Sequence, residues 1–179
     1  MVEEPTPDYL RPGHHLDPGS FTLDLYRLLC MVKADNRVAK LGIKSRSISE
    51  LQGEYLDYEV KRILISSAAA LRIWFDQHDQ QAFAHLRTDC GKLYPNWPRR
   101  KNVYEVLTLR EACNKIIHAT EINYDIIVPN RAHNYDYEGA YMRPRLFLYG
   151  LKGKQRWRAV LSLVSFVQWG TTVLWRWRS

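Results

Sequence analysis

Cysteine is scarce in this chain and poorly placed for cross-linking. Cys30, Cys90 and Cys113 are its only three, far apart and without a CxxC pair. An odd, widely spaced set argues against a disulfide framework and fits a reducing, cytoplasmic setting. It also lacks the ligand spacing of a zinc site. His78 and His85 share nearly the same face of a helix, but only Asp76 stands near them as a carboxylate. No metal and no cofactor is therefore expected. Also missing are a glycine-rich phosphate loop, an HExxH or GxSxG motif and any internal repeat. The opening residues do not follow the basic-then-apolar order of a signal peptide.

Acidic residues are missing from one end. Arg143 to Ser179 contains eight Lys/Arg and no Asp/Glu, which leaves 18 basic against 19 acidic residues elsewhere. The last fifth of the chain thus carries a charge of +8 and the rest −1, so the whole net +7 belongs to that end. Arg143, Arg145, Lys152, Lys154, Arg156 and Arg158 are accordingly expected to meet an anionic partner such as RNA. Residues 159–175 carry no charge and are bracketed by arginines, the layout of a tail anchor. Seventeen residues is the short limit for crossing a bilayer, and Ser162, Ser165, Gln168 and Thr172 form a polar stripe at helical spacing. An amphipathic core helix is the preferred reading, and a membrane partner is disfavoured.

What remains is ordinary globular material, with 46% apolar and 25% charged residues in 179. That length suffices for one domain with a substantial core. Prolines and glycines break up residues 1–19, which read as an irregular arm. Phe21, Leu25, Leu28, Leu29 and Val32 predict a helix from Ser20 to a stop at Gly42. Ser47 and Glu50 form a capping box opening a long second helix that runs to Phe75. Between Gln77 and Lys101 the pattern is broken. There Tyr94 and Trp97 precede Arg99-Arg100-Lys101, the mixture of rings and cations that single-stranded nucleic acid needs; a loop with tethered aromatics is the other reading. INYDIIV (122–128) and RLFLY (145–149) predict strands, and 157–161 reads equally as a third strand or as the first turn of the last helix.

The organising stretch is Asn102 to Glu121. Asn102 and Glu105 read as a capping box, and Val103, Val106, Leu107, Cys113, Ile116 and Ile117 recur at helical spacing. Arg110, Asn114 and His118 form an i, i+4, i+8 stripe that begins inside the apolar arc. A histidine moves a proton near neutral pH, an amide orients a phosphate or ribose hydroxyl, and a guanidinium grips phosphate. The other reading is that these are satisfied polar groups where this helix meets another.

The run Arg110-Glu-Ala-Cys-Asn114-Lys-Ile-Ile-His118-Ala resembles the signature helix of the HEPN superfamily, helical-bundle proteins of which many are metal-independent RNases in defence and toxin–antitoxin systems. The resemblance implies His118 as general acid/base, Asn114 as substrate-orienting amide, Arg110 as phosphate ligand and Lys115 as a supplementary cation. It further implies a cleft between two protomers and hence a homodimer, with RNA as substrate and an antitoxin or complex subunit as protein partner. Cys113 stands where the family carries its arginine, a departure that favours the alternative of a non-catalytic interaction module. Arg110 lies ~12 Å along the axis from His118, which suits the two only across a dimer. The fold expected is mainly α: a bundle of four or five helices over residues 20–179, with a small antiparallel β insertion at about 122–161 before the C-terminal helix.

Overall fold

A computed structural model describes residues 18–77, 88–128 and 139–178. Along the chain run α1 (Pro18–Gly42), α2 (Arg46–Gln77), β1 (Asp89–Tyr94), β2 (Glu105–Thr108), α3 (Leu109–Ile117), β3 (Glu121–Ile127), β4 (Tyr141–Lys152), β5 (Gln155–Ser162) and α4 (Leu163–Arg178). The five strands form one antiparallel sheet in the order β2-β1-β5-β4-β3.

This corrects the expected architecture. The fold is mixed α/β, among the described residues four helices with a five-stranded antiparallel sheet, and not a mainly α bundle with a β insertion. Two strands precede α3, β1 pairing with β5 and β2 with β1, so the sheet is a framework and not an excursion. The organising segment accordingly splits. Residues 105–108 are strand, and the helix begins at Leu109. Its true N-cap is Thr108, whose Oγ1 accepts the Glu111 N–H at 3.3 Å. Thr108 and Glu111 hold the box positions that Asn102 and Glu105 only imitate. Val103, Val106 and Leu107 are β-branched or aliphatic, and over so short a run their spacing serves a strand as well as a helix. Likewise Ala159 to Ser162 end β5, and the last helix starts only at Leu163.

Period-2 alternation sets the layers. Leu146 and Leu148 of β4, Trp157, Ala159 and Leu161 of β5, Leu107 of β2 and Leu93 of β1 point to the helices and are buried. Leu25 and Leu28 of α1, Ile63, Leu64 and Leu71 of α2, Cys113 and Ile116 of α3 and Phe166 of α4 complete the core. α2 packs on α1 and α3, and α4 packs on α1 and β1. Among the described residues the opposite sheet face carries no helix.

β1 bulges between Asp89 and Lys92, where Gly91 adopts φ +141°. A Cβ there would run into the Val160 carbonyl oxygen. Gly91→Ala is therefore expected to destabilise by more than ~1 kcal/mol, combining a forbidden φ with a backbone clash. Urea denaturation checks this, and an unchanged midpoint would show that the bulge is not needed.

Candidate nucleic-acid interface

The two groups of residues singled out by the sequence lie in different places. On α3, the Arg110 guanidinium meets Asp76 of α2 at 3.1 Å, and Asp76 also holds Arg72 at 3.0 Å. Arg72 Nη1 donates to Asn114 Oδ1 at 2.6 Å, and Asn114 Nδ2 donates to Glu111 at 3.2 Å. Arg110 and Asn114 thus form the polar seam by which α3 docks on α2. His118 is the C-cap, its backbone N–H bonded to Asn114 O at 3.1 Å and its side chain exposed. The stripe is broken by this division: two members face a neighbouring helix and the third faces solvent.

Cys113, at the position where the resembled motif has arginine, is fully buried in the core. Burial drives its thiol well above the ordinary range, and that of Cys90 is pushed up to about 12, first by burial and then by the charge of Asp89. Neither is a nucleophile, because the thiolate is the reactive form. Cys30 is exposed. A thiol reagent is expected to modify one cysteine of three in the native protein and all three in denaturant. Fast native labelling of two or more would contradict this packing.

Lys115, expected as a supplementary cation beside His118, has partners of its own. Its Nζ bonds Glu111 at 3.0 Å and sits 4.6 Å from the Trp157 ring centroid, on the helix side of the sheet. Burial alone would raise the Glu111 carboxyl. Hydrogen bonds from Lys115 and Asn114, with the charges of Lys115 and Lys152, hold it below its ordinary value.

The remaining cations gather on the helix-free face. Register places Asn123, Phe147, Val160, Lys92 and Val106 in one cross-strand row, and Glu121, Tyr149, Arg158 and Tyr94 in the next. Arg143 and Arg145 stand beside the first row, where Asp125 approaches them at 3.9 and 3.5 Å. Arg156 extends the other end toward the β4–β5 turn, which carries Lys152 and Lys154. Gln155 ties that turn to the β1–β2 connection by donating to Pro95 O at 3.1 Å and to Asn96 Oδ1.

Arg158 is the centre. Its guanidinium carbon lies 4.6 Å from the Trp97 centroid, 4.7 Å from Phe147 and 5.9 Å from both Tyr94 and Tyr149. Its Nε is buried without a hydrogen-bond partner among the described residues. Tyr104 extends the aromatic surface, 5.8 Å from Tyr94, with Lys92 4.3 Å above it. Two basic grooves flank this cluster. One, of about 670 Å³, is lined by Lys92, Arg143, Arg145, Phe147 and Arg158 among others. The other, of about 680 Å³, is lined by Asn96, Trp97, Arg99, Lys152, Lys154 and Arg156 among others.

Sequence reasoning singled out these arginines, and it picked out Tyr94 and Trp97 as rings beside cations. It missed Lys92, Tyr104, Phe147 and Tyr149. The signal for two of these was present in RLFLY, where alternation sets Phe147 and Tyr149 on the face of Arg145 and opposite Leu146 and Leu148. His78 and His85 lie outside the described residues, as does most of the N-terminal arm. Among the described residues no group of three or more His, Cys, Asp or Glu could hold a metal ion, and no helix is long and apolar enough to cross a membrane.

No protein-family model matches this chain, and neither a curated protein nor a solved structure matches it significantly.

Proposed function

We propose that this protein binds single-stranded nucleic acid across the open face of its sheet and does not cut it. RNA is the polymer favoured by the likeness of residues 110–119 to the HEPN helix. The observation that carries the reading is Arg158, a guanidinium enclosed by four rings and set between two basic grooves. Phosphates are neutralised by cations, and unstacked bases find π-faces, the two requirements of a single-strand platform. β4 spans 12 residues and hence ~40 Å, room for a strand at the lower end of the ~4–16 nucleotides that such folds accommodate.

Binding without cleavage fits α3. Arg110 and Asn114 are held by Asp76, Arg72 and Glu111, so neither is poised to grip a phosphate beside His118. A fluorescein-labelled 12-nucleotide RNA is expected to bind with an affinity that falls steeply with salt, by a log–log slope of about −0.7 for each phosphate neutralised. Duplex RNA of the same sequence should bind more weakly, since its bases are not free to stack. Incubation in EDTA should leave the RNA intact for wild type and His118→Ala alike. Chelator-resistant cleavage that His118→Ala abolishes would replace this reading with a nuclease. Absence of binding at low salt would remove it.

A further inference from the structure

The outer side of α2 carries an apolar seam that none of the described residues covers. Leu51, Tyr55, Tyr58 and Ile65 are between 47% and 63% exposed. With Arg62 between the last two and Ala69 beyond, they recur at spacings of 4, 3, 4, 3 and 4 residues. That is the a/d repeat of a coiled-coil seam. At 100° per residue it lies diametrically opposite the buried stripe Val60, Ile63, Leu64, Ser67 and Leu71. One helix therefore presents two apolar faces, of which the fold uses one. Solvated helices carry polar residues there.

We infer that this face pairs with the same face of a second copy of the chain, in antiparallel sense. The charge pattern selects both partner and direction. Arg62 is the only charged residue in the seam. In a parallel pair it would oppose its own copy, two guanidinium groups in one apolar layer. In an antiparallel pair, where a positions meet d positions, Arg62 of each copy faces Tyr58 of the other. The ring then receives a cation, and the guanidinium edges remain bonded to Glu59 at 2.9 Å and near Asp24 at 3.6 Å. The same register sets Tyr55 against Ile65 and the large Leu51 against the small Ala69. The seam is thus complementary to itself over ~27 Å of helix. This dimer is independent of α3 and of nucleic-acid binding, and it leaves both open sheet faces uncovered.

Sedimentation equilibrium of the full chain is expected to give twice the 21.1 kDa chain mass. Tyr58→Arg sets like charges face to face and should weaken the dimer by more than about tenfold. Exchanging the two residues, Tyr58→Arg with Arg62→Tyr, should restore it. Circular dichroism verifies that each variant folds. In a Cys30→Ser background, Tyr55→Cys with Ile65→Cys should give a disulfide-linked dimer under mild oxidation, whereas either cysteine alone should not. A monomeric wild type, cross-linking by the single cysteines, or a dimer indifferent to Tyr58→Arg would each overturn the proposal.

Discussion

Arg158→Met is expected to weaken single-stranded RNA binding by about 10- to 100-fold, the loss of one charge-assisted contact worth ~1.5–3 kcal/mol. Methionine approximates the length of the arginine stem and packs against rings, so the aromatic enclosure should survive while its charge disappears. The effect should exceed that of any other single cation on the face. Arg143 and Arg145 are half-exposed and share the carboxylate of Asp125, whereas Arg158 is held by rings that supply no counter-charge. A half-buried cation packed among rings acts through a lower effective dielectric than a half-exposed one beside a carboxylate, and its attraction for phosphate is correspondingly larger. The log–log salt slope should fall in magnitude by about 0.7, one phosphate contact on a single strand. Fluorescence anisotropy at several salt concentrations measures both, with Arg37→Met on the exposed side of α1 as control. Equal effects of the two substitutions would mean that binding follows net charge and not the aromatic centre.

The parts of the site legible in the sequence were those carried by one segment. The basic excess after Arg143 is a property of composition, and β3 and β4 announce themselves through β-branched and alternating residues. The site's centre is not local. Tyr94 comes from β1, Trp97 from the following turn, Phe147 and Tyr149 from β4, and Arg158 from β5. Only the ladder Lys92–Val160–Phe147 and its neighbour Tyr94–Arg158–Tyr149 bring them together. No periodicity along the chain encodes which strands pair. The fold class failed for a related reason. DCGKLY and EVLT are short and interrupted by a bulge, so their strand identity is decided by β5 and by burial of Cys90, Leu93 and Leu107. The resemblance offers Lys115 as a supplementary cation, while helix phase commits it to Glu111. Arg110 and Asn114 illustrate the reverse: polar residues inside an apolar arc were correctly noticed, and a neighbouring helix supplies their partners.

The largest stability effect is expected at Asp35, only 2% exposed and the polar junction between helices and sheet. Oδ1 accepts from Gln52 Nε2 at 2.7 Å, joining α1 to α2. Oδ2 accepts the Met142 backbone N–H at 2.6 Å, joining α1 to β4. Asp35→Ala removes both acceptors at once. The Met142 N–H is buried and would have no protein partner, and an unsatisfied buried donor carries its full desolvation penalty. With the two charge-assisted bonds lost as well, the expected cost is about 3–5 kcal/mol. In a chain of this length each kcal/mol corresponds to ~2–4 °C, so Tm should fall by about 6–20 °C. Asp35→Asn keeps one oxygen and can serve one donor, and it should fall between the two. The contrast is Arg46–Glu50, an i,i+4 pair at 2.8 Å whose side chains are 92% and 62% exposed. Glu50→Ala should change stability by no more than about 0.5 kcal/mol, because exposed pairs are screened and entropically costly. Differential scanning calorimetry of the three variants orders them. If Asp35→Ala shifted Tm by no more than Glu50→Ala does, the junction would be an incidental contact, and the helical hairpin would be held to β4 by apolar packing alone.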